Sequence, residues 1–462
     1  MKKSIFKSWY MITTVSIALV FFVGFILTSF GNIDRWFADV MGEWIKNDFM
    51  KFWVVFYNEM GFTALFLVCS ISFVVLIESF FIRYKENKKI YNFIYVGHVL
   101  TFAFFLNYNL NRLIGVINEN TGWGPGIDVE YLTDNTFKII SRISIFIIEA
   151  SLLISFILLM RLKISKSSIL LENRVWILAI SSILFGIISF FSINYLLKQT
   201  FGRPYYLNVK FERYIGKVHL DETGFAVDID LTPEVKKLEP QHPDLKQQIL
   251  QSYNESNYWT QADGYYKWYE VNGNWFQNLQ YWTNLRWLTW WIKFDHEYKQ
   301  PLCWLNQDFP SGHTVSGFTG IYYALFANAL IKDERKRKIT TNTLFSIWLF
   351  SEILMVNLLV VARTHYISDT WFSFAYCTFA LIVSLKISNV TSSKIVLKKR
   401  NKKREDNFFE IIDNKIFIFF QEDNKIFVSN FKSKKWEKKV DKYLGIEQIE
   451  KLKVINQSQQ SE

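Results

Sequence analysis

The stretch VWILAISSILFGIISFFSINYLLKQTFGRP, residues 175–204, decides the fold class. Its first 23 residues, Val175 to Leu197, carry no charged side chain. A helix needs about 20 apolar residues to cross the hydrocarbon core of a bilayer. The run is long enough to span, and it ends on Lys198, with Arg203 and Pro204 close behind. Stretches of the same kind lie at 9–31, 62–82, 91–112, 138–160, 314–331, 343–362 and 368–388. Together they make eight expected spans, and the expected fold is all-α and polytopic. No small-residue cleavage site follows 9–31, which reads as a retained span.

The connecting segments set the orientation. Lys and Arg crowd segments 1–8, 83–89, 161–174, 332–338 and 398–404, which are every second connection. The positive-inside rule places these in the cytoplasm, with both termini. Segments 32–61, 113–137, 198–313 and 363–367 are then expected outside. The composition agrees with a multi-pass protein of the cell membrane. Half of the 462 residues are hydrophobic and 18% are aromatic, which excludes a disordered or fibrous chain. Three Cys with no CxxC spacing exclude a disulfide scaffold and a thiolate zinc centre. The net charge of +11 sits in the orienting clusters and a basic tail, so membrane lipids are expected partners and nucleic acid is not. The sequence does not indicate an oligomeric state.

Two polar regions remain. The outward loop 198–313 is too long to be structureless, and its many Trp fit either an aromatic belt at the lipid interface or a lid over a site. An amphipathic helix at 281–294 would serve either role. The tail 389–462 repeats DNKIF at 413–417 and 423–427. Turn pairs between β-rich runs there read as a small three-stranded meander. The expected domains are N-terminal spans at 1–90, a catalytic membrane core at 91–388 with the loop 198–313 inserted, and a cytoplasmic tail at 389–462.

Three polar clusters fall on the side that the charge pattern assigns to the outside. The first is Lys198 to Pro204, the second Phe309-Pro310-Ser311-Gly312-His313-Thr314, the third Arg363 to Asp369. Lys198, Arg203 and Arg363 supply positive charge. Ser311 and Gly312 stand at an expected helix start, where free N–H groups favour an anion, and Gly312 lets the backbone approach. Together they describe a phosphate cradle. His313 and His365 are two of six His in the chain, and both fall in this set. One can attack phosphorus while the other protonates the leaving oxygen. Asp369 follows His365 by four residues, which would put both on one helix face and let the carboxylate orient the imidazole. His98, inside a span, reads as a core histidine with a partner.

This constellation resembles the type 2 phosphatidic acid phosphatase family, related in fold to the vanadium-dependent haloperoxidases. The family's motifs are Lys-x6-Arg-Pro, Pro-Ser-Gly-His and Ser-Arg-x5-His-x3-Asp, and the likeness covers residues 140–388 or so. The resemblance implies a six-helix core, spans three to eight here, with two extra spans before it. It implies metal-independent hydrolysis of a lipid phosphate or isoprenyl pyrophosphate, with no cofactor. His365 would become a phosphohistidine, Asp369 would assist it, and His313 would protonate the leaving group. Two positions depart from the family. Its two Arg positions fall on Tyr205 and Leu359, while Arg203 comes two residues early and Arg363 four residues late. A shift of four is about one helical turn, so Arg363 is expected to keep the same face. A phosphotransferase of the same fold and a catalytically impaired lipid binder are the alternatives. A transporter would need charges buried mid-span, for which Glu149 and Glu352 are the candidates.

Overall fold

The computed structural model of the chain describes residues 8–84, 88–118, 136–201 apart from 168, then 203, 206, 215–250 with short breaks, 267–268, 308–401 and three strands between 408 and 430. The chain divides into two compact units, Ser8–Ser384 and a second that contains the stretch from Leu385.

The first unit is built from helices. They are α1 (Trp9–Leu27), α2 (Ile33–Gly42), α3 (Asp48–Tyr84), α4 (Lys88–Asn118), α5 (Thr136–Leu159), α6 (Ile169–Glu172), α7 (Val175–Phe190) and α8 (Lys198–Phe201). Segment 198–313 contributes an antiparallel pair, β1 (Ile215–Leu220) and β2 (Ala226–Leu231), and a short α9 (Pro233–Lys236). Then follow α10 (Gly312–Phe318), α11 (Ile321–Leu330), α12 (Glu334–Val361) and α13 (Ile367–Asn401), which runs on into the second unit. Among the described residues, seven helices are long and apolar enough to cross a membrane. Their outer faces stay apolar: Leu19, Val20 and Val23 on α1, and Ile347 and Phe350 on α12, are exposed. Such faces are stable only against lipid or another apolar surface.

One expectation changes. The stretch 314–331 is not one continuous helix but holds two short ones, α10 and α11. Tight bonds from Thr319 N–H to Ser316 C=O and from Gly320 N–H to Gly317 C=O break the α-helical ladder between them. The Trp348 indole holds that break by donating to Gly317 C=O at 3.3 Å. Its ring leaves no room for a side chain at Gly320, where a Cβ would come within 2.7 Å of it. Residues 8–90 lie within the same compact unit as the helices that follow them, up to Ser384. α3 is its most enclosed long helix: 61% of its apolar window is buried, against 22% for α4 and for α5.

α3 carries two buried carboxylates, Glu59 and Glu78, each at the centre of an ion cluster. Their spacing of 19 residues (78 minus 59) corresponds to about 28 Å along a helix, close to the hydrocarbon thickness of a bilayer. Arg112 of α4 grips Glu59 with two bonds, at 2.6 and 3.0 Å. Arg142 of α5 bonds the Glu59 C=O, Thr63 and Asn109, and lies 3.9 Å from Glu149. Thr63 in turn donates to Glu149 at 2.8 Å. At the other end, Glu78 meets His98 at 2.8 Å and Arg161 at 3.3 Å. His98 thus has the core partner expected of it. In a medium without water such groups hold helices together, because separation would strand each charge.

In the second unit, β3 (Phe408–Ile412), β4 (Lys415–Phe420) and β5 (Lys425–Asn430) form the expected antiparallel meander, in the order β3-β4-β5. The amphipathic helix expected at 281–294 lies outside the described residues.

Replacing Arg142 by Met should leave Glu149 buried without its cation. A loss of about 3–5 kcal/mol in stability is expected for such a broken pair, read as a lowered midpoint of thermal unfolding in detergent. An unchanged midpoint would show that the cluster contributes nothing.

Candidate active site

The three polar clusters meet, although their sequence positions span 198 to 369. α7 widens into a π-helical turn over Phe191–Leu197, which hands the chain to α8 and Lys198. The chain then reaches Arg203, whose C=O accepts the Asp308 N–H at 3.0 Å. Five residues after Asp308, His313 sits in the first turn of α10. The Ser311 N–H donates to the Asp369 C=O at 3.3 Å, which joins this segment to the start of α13.

Arg203 is fully buried. One of its terminal nitrogens donates to Ser368 and Asp369 at 2.7 Å each, and the other to Asp34 of α2 at 2.7 Å. Its guanidinium also lies 3.7 Å from the centre of the Tyr366 ring, a cation–π contact. Burial works against the charge, and the Asp369 and Asp34 carboxylates more than offset it. Arg203 therefore braces carboxylates of the protein itself. Asp34 also accepts from the Ser368 backbone and hydroxyl, at 3.1 and 2.6 Å. Asp34 had no signal in the sequence beyond being an isolated acid after a span.

The histidines face one another, with ring centres 6.2 Å apart. His313 packs edge-on against Phe62 at 4.7 Å, and its Nε2 is enclosed with no hydrogen-bond partner among the described residues. Gly61 of α3 makes room for it, because a Cβ there would fall 2.3 Å from the ring. His365 is buried, and its Nδ1 is in ion-pair contact with Asp308. Burial alone would lower the pKa of His365. The carboxylate of Asp308 at its Nδ1, with Asp369 close by, outweighs that and raises it. Asp308 lies two residues before Pro310, outside the tetrapeptide that drew attention to this segment, and sequence reasoning missed it.

Several expected geometries differ. α13 starts at Ile367, so His365 precedes the helix and does not share a helical face with Asp369. The Asp369 Oδ2 atom is 3.7 Å from His365 Nδ1 and accepts the Tyr366 N–H at 2.7 Å instead. α12 ends at Val361, so Arg363 is not one helical turn along from Leu359. With φ at 59°, it leaves the helix in the left-handed region, and its side chain donates to the Gly42 C=O at 3.0 Å. Leu359 is packed in the core. The side chain of Ser311 caps α10 by accepting from the Thr314 N–H at 3.4 Å. The space a Cβ would take at Gly312 is held by Asn194, 2.6 Å away, so a neighbouring side chain already explains the glycine. Gly202 and Tyr205 lie outside the described residues. Lys198 is buried beside Asp308 and Asp369, within electrostatic reach of both histidines.

Residues 256–392 match the family model of the PAP2 superfamily. The resemblance drawn from the motifs is borne out for that segment, which takes in His313, His365 and Asp369 and leaves Lys198 and Arg203 outside. PAP2 domains are phosphatases acting on phosphate esters in general terms. An uncharacterized protein of Mycoplasma capricolum subsp. capricolum is 27% identical over 369 residues, covering 78% of this chain and 86% of its own. No solved structure matches the chain.

Within the PAP2 segment, Asp308, His365 and Asp369 each offer a ligand atom, all within 4.8 Å of one another. That donor set could meet a divalent cation by distance. The same carboxylates already face Arg203 and Lys198, and Asp369 is committed to Arg203 and to the Tyr366 N–H. The cluster is read as compensated by the cations of the protein.

Gly61→Ala should push the His313 ring away from His365 while leaving the fold intact. Phosphatase activity is expected to fall by about a hundredfold, as for a catalytic group misplaced by about 1 Å, with an unchanged unfolding midpoint. Retained activity would mean that the His313 position does not matter.

Proposed function

We propose that the protein hydrolyses a lipid phosphate or an isoprenyl pyrophosphate, at the outward face of the membrane, through a phosphohistidine on His365. The reading is carried by one observation: three segments remote in sequence bring His313 and the buried His365 to 6.2 Å, beside the buried Lys198, Arg203, Asp308 and Asp369. The PAP2 match supports phosphate-ester chemistry. The alternation of Lys- and Arg-rich connections supports the outward face.

In the proposed reaction His365 Nε2 attacks phosphorus, and the bond to the leaving oxygen breaks. His313 gives that oxygen its proton. Water then attacks the phosphohistidine, His313 takes the water proton, and His365 is released with phosphate. Lys198 supplies positive charge to the phosphoryl oxygens. Ser311 fixes the start of α10, and Gly312 makes room there for Asn194. Arg203 and Arg363 stand behind these groups, the first steadying Asp369 and Asp34, the second steadying the turn before His365. The proposed steps need no metal.

A catalytically impaired lipid binder is the second reading. It is favoured by the engagement of Arg203 with protein carboxylates and of Arg363 with a backbone carbonyl. A first test separates the two. Purified protein with EDTA present is given phosphatidate, diacylglycerol pyrophosphate, phosphatidylglycerophosphate and undecaprenyl pyrophosphate, beside His365→Ala. The hydrolase reading expects phosphate release that EDTA spares and His365→Ala abolishes. Binding without release on every substrate would favour the binder.

A second test uses Lys198. Burial lowers its pKa to about 8, against the pull of Asp308 and Asp369. Its charged form is the protonated one, so the cation is present below that pH and lost as pH rises through it. KM for the phosphorylated lipid is expected to climb above about pH 8, with kcat less affected. Lys198→Arg keeps its charge at all these values and should flatten the climb. A KM that rises equally in both proteins would remove Lys198 from the binding role.

A further inference from the structure

We propose that Asp308, and not Asp369, is the positioning residue that orients His365 for attack. The inference rests on the phosphohistidine reading above. It starts from how each carboxylate is committed. Asp369 spends Oδ1 on Arg203 at 2.7 Å and Oδ2 on the Tyr366 N–H at 2.7 Å. Its nearest approach to His365 Nδ1 is 3.7 Å, beyond a hydrogen bond. Asp308 is fully buried and in contact with Nδ1. Asp308 also stands beside Asp369 and Lys198, but its one ion-pair contact among the described residues is with His365 Nδ1. A buried carboxylate so placed needs a donor and a nearby cation, and it touches His365 Nδ1 with Lys198 close by.

The charge count supports the assignment. Among the described residues the buried cluster holds three carboxyl groups, Asp34, Asp308 and Asp369. Against them stand the cations Arg203 and Lys198, and the His365 ring faces Asp308 through Nδ1. Arg203 serves Asp34 and Asp369, which leaves His365 and Lys198 for Asp308. The position follows from the fold. The Asp308 N–H is tied to the Arg203 C=O at 3.0 Å, so the brace that holds Asp369 also sets the place of Asp308.

The consequence is a fixed tautomer. With Nδ1–H held toward Asp308, the lone pair of Nε2 faces away from the carboxylate and is the one that attacks. The Nδ1 proton stays on the Nδ1–Asp308 pair through both half-reactions. The P–Nε2 bond forms as the P–O bond breaks, and the leaving oxygen takes its proton from His313. In the second half the water proton returns to His313, and the electron pair of the P–N bond returns to Nε2. No proton is made or lost.

The groups facing His365 are Asp308 before α10, Asp369 of α13, Lys198 of α8 and His313 of α10. The test compares Asp308→Asn with Asp369→Asn in the purified full chain. Histidine-labelled protein is followed by nitrogen NMR across pH, with the His365 signals assigned by their loss in His365→Gln. Asp308→Asn is expected to lower the His365 titration by about one to three units, the shift from one adjacent opposite charge. Asp369→Asn should move it less. In the activity arm, Asp308→Asn should lower kcat by about 10⁴-fold, the cost of a histidine held in the wrong tautomer, with KM changed little. An unchanged His365 titration in Asp308→Asn, or a larger shift in Asp369→Asn, would overturn the proposal. If Asp308→Asn does not fold, Asp308→Glu decides. Its carboxylate should keep the raised titration, and a fall to the ordinary histidine range would count against the proposal. Failure of the wild-type protein to release phosphate would sink the hydrolase reading, while the NMR arm still decides which carboxylate holds His365.

Discussion

A guanidinium with no access to water must be surrounded by carboxylates, and Arg203 is such a group. It holds Asp34 from α2 and Asp369 from α13, and its own carbonyl anchors Asp308. Three distant segments are thereby fixed around one charge. In a low-dielectric interior each of these ions would be costly alone, and together they are mutually supporting. The arrangement makes α2 part of the site. A segment that looks like a connection between spans closes the charge balance around Arg203. Gly42 at its end takes the Arg363 side chain.

α3 is the second constraint. It must pass through the bundle beside the site, so its surface is shaped residue by residue. Gly61 and Phe62 receive His313, and the Leu65 N–H donates to Ser316 at 2.9 Å. Ion clusters at Glu59 and Glu78 fasten its two ends to α4 and α5. Between them the helix is apolar, as a bilayer demands. One of these clusters abuts the site, because Phe62 carries Arg112 over its ring at 4.1 Å and His313 at its edge. The aromatic cap of the site is likewise assembled from afar. Phe25 of α1, Trp268 of the segment between α9 and α10, and Phe309 beside Asp308 pack on one another. Trp268 is also tied to Ser29 at 2.7 Å.

Much of this was legible in the chain. Uninterrupted apolar runs announced the helices, since a bilayer imposes a minimum length and forbids unpaired backbone groups. His313, His365 and Asp369 stood out because rare polar side chains at span ends are expensive unless used. Less legible were the partners. His365 and Asp369 lie four apart, and a helical reading made them a pair. The helix starts only at Ile367, so the turn before it gives the Nδ1 contact to Asp308. The one-turn shift assumed for Arg363 failed for the same reason, because α12 stops at Val361. Where a helix ends depends on tertiary neighbours, and local pattern locates such ends poorly.

The sequence by itself determined the class of the protein: apolar helices of membrane length, alternating charge between them, and a histidine-rich set of motifs on one side. Those features follow from periodicity, length and charge, which are local. Only the tertiary structure decided which acid meets which base. Asp34, Asp308 and Asp369 are the same kind of residue in the sequence. Their separate tasks are set by a few ångströms of distance, and that distance is fixed by how the helices pack around one buried arginine.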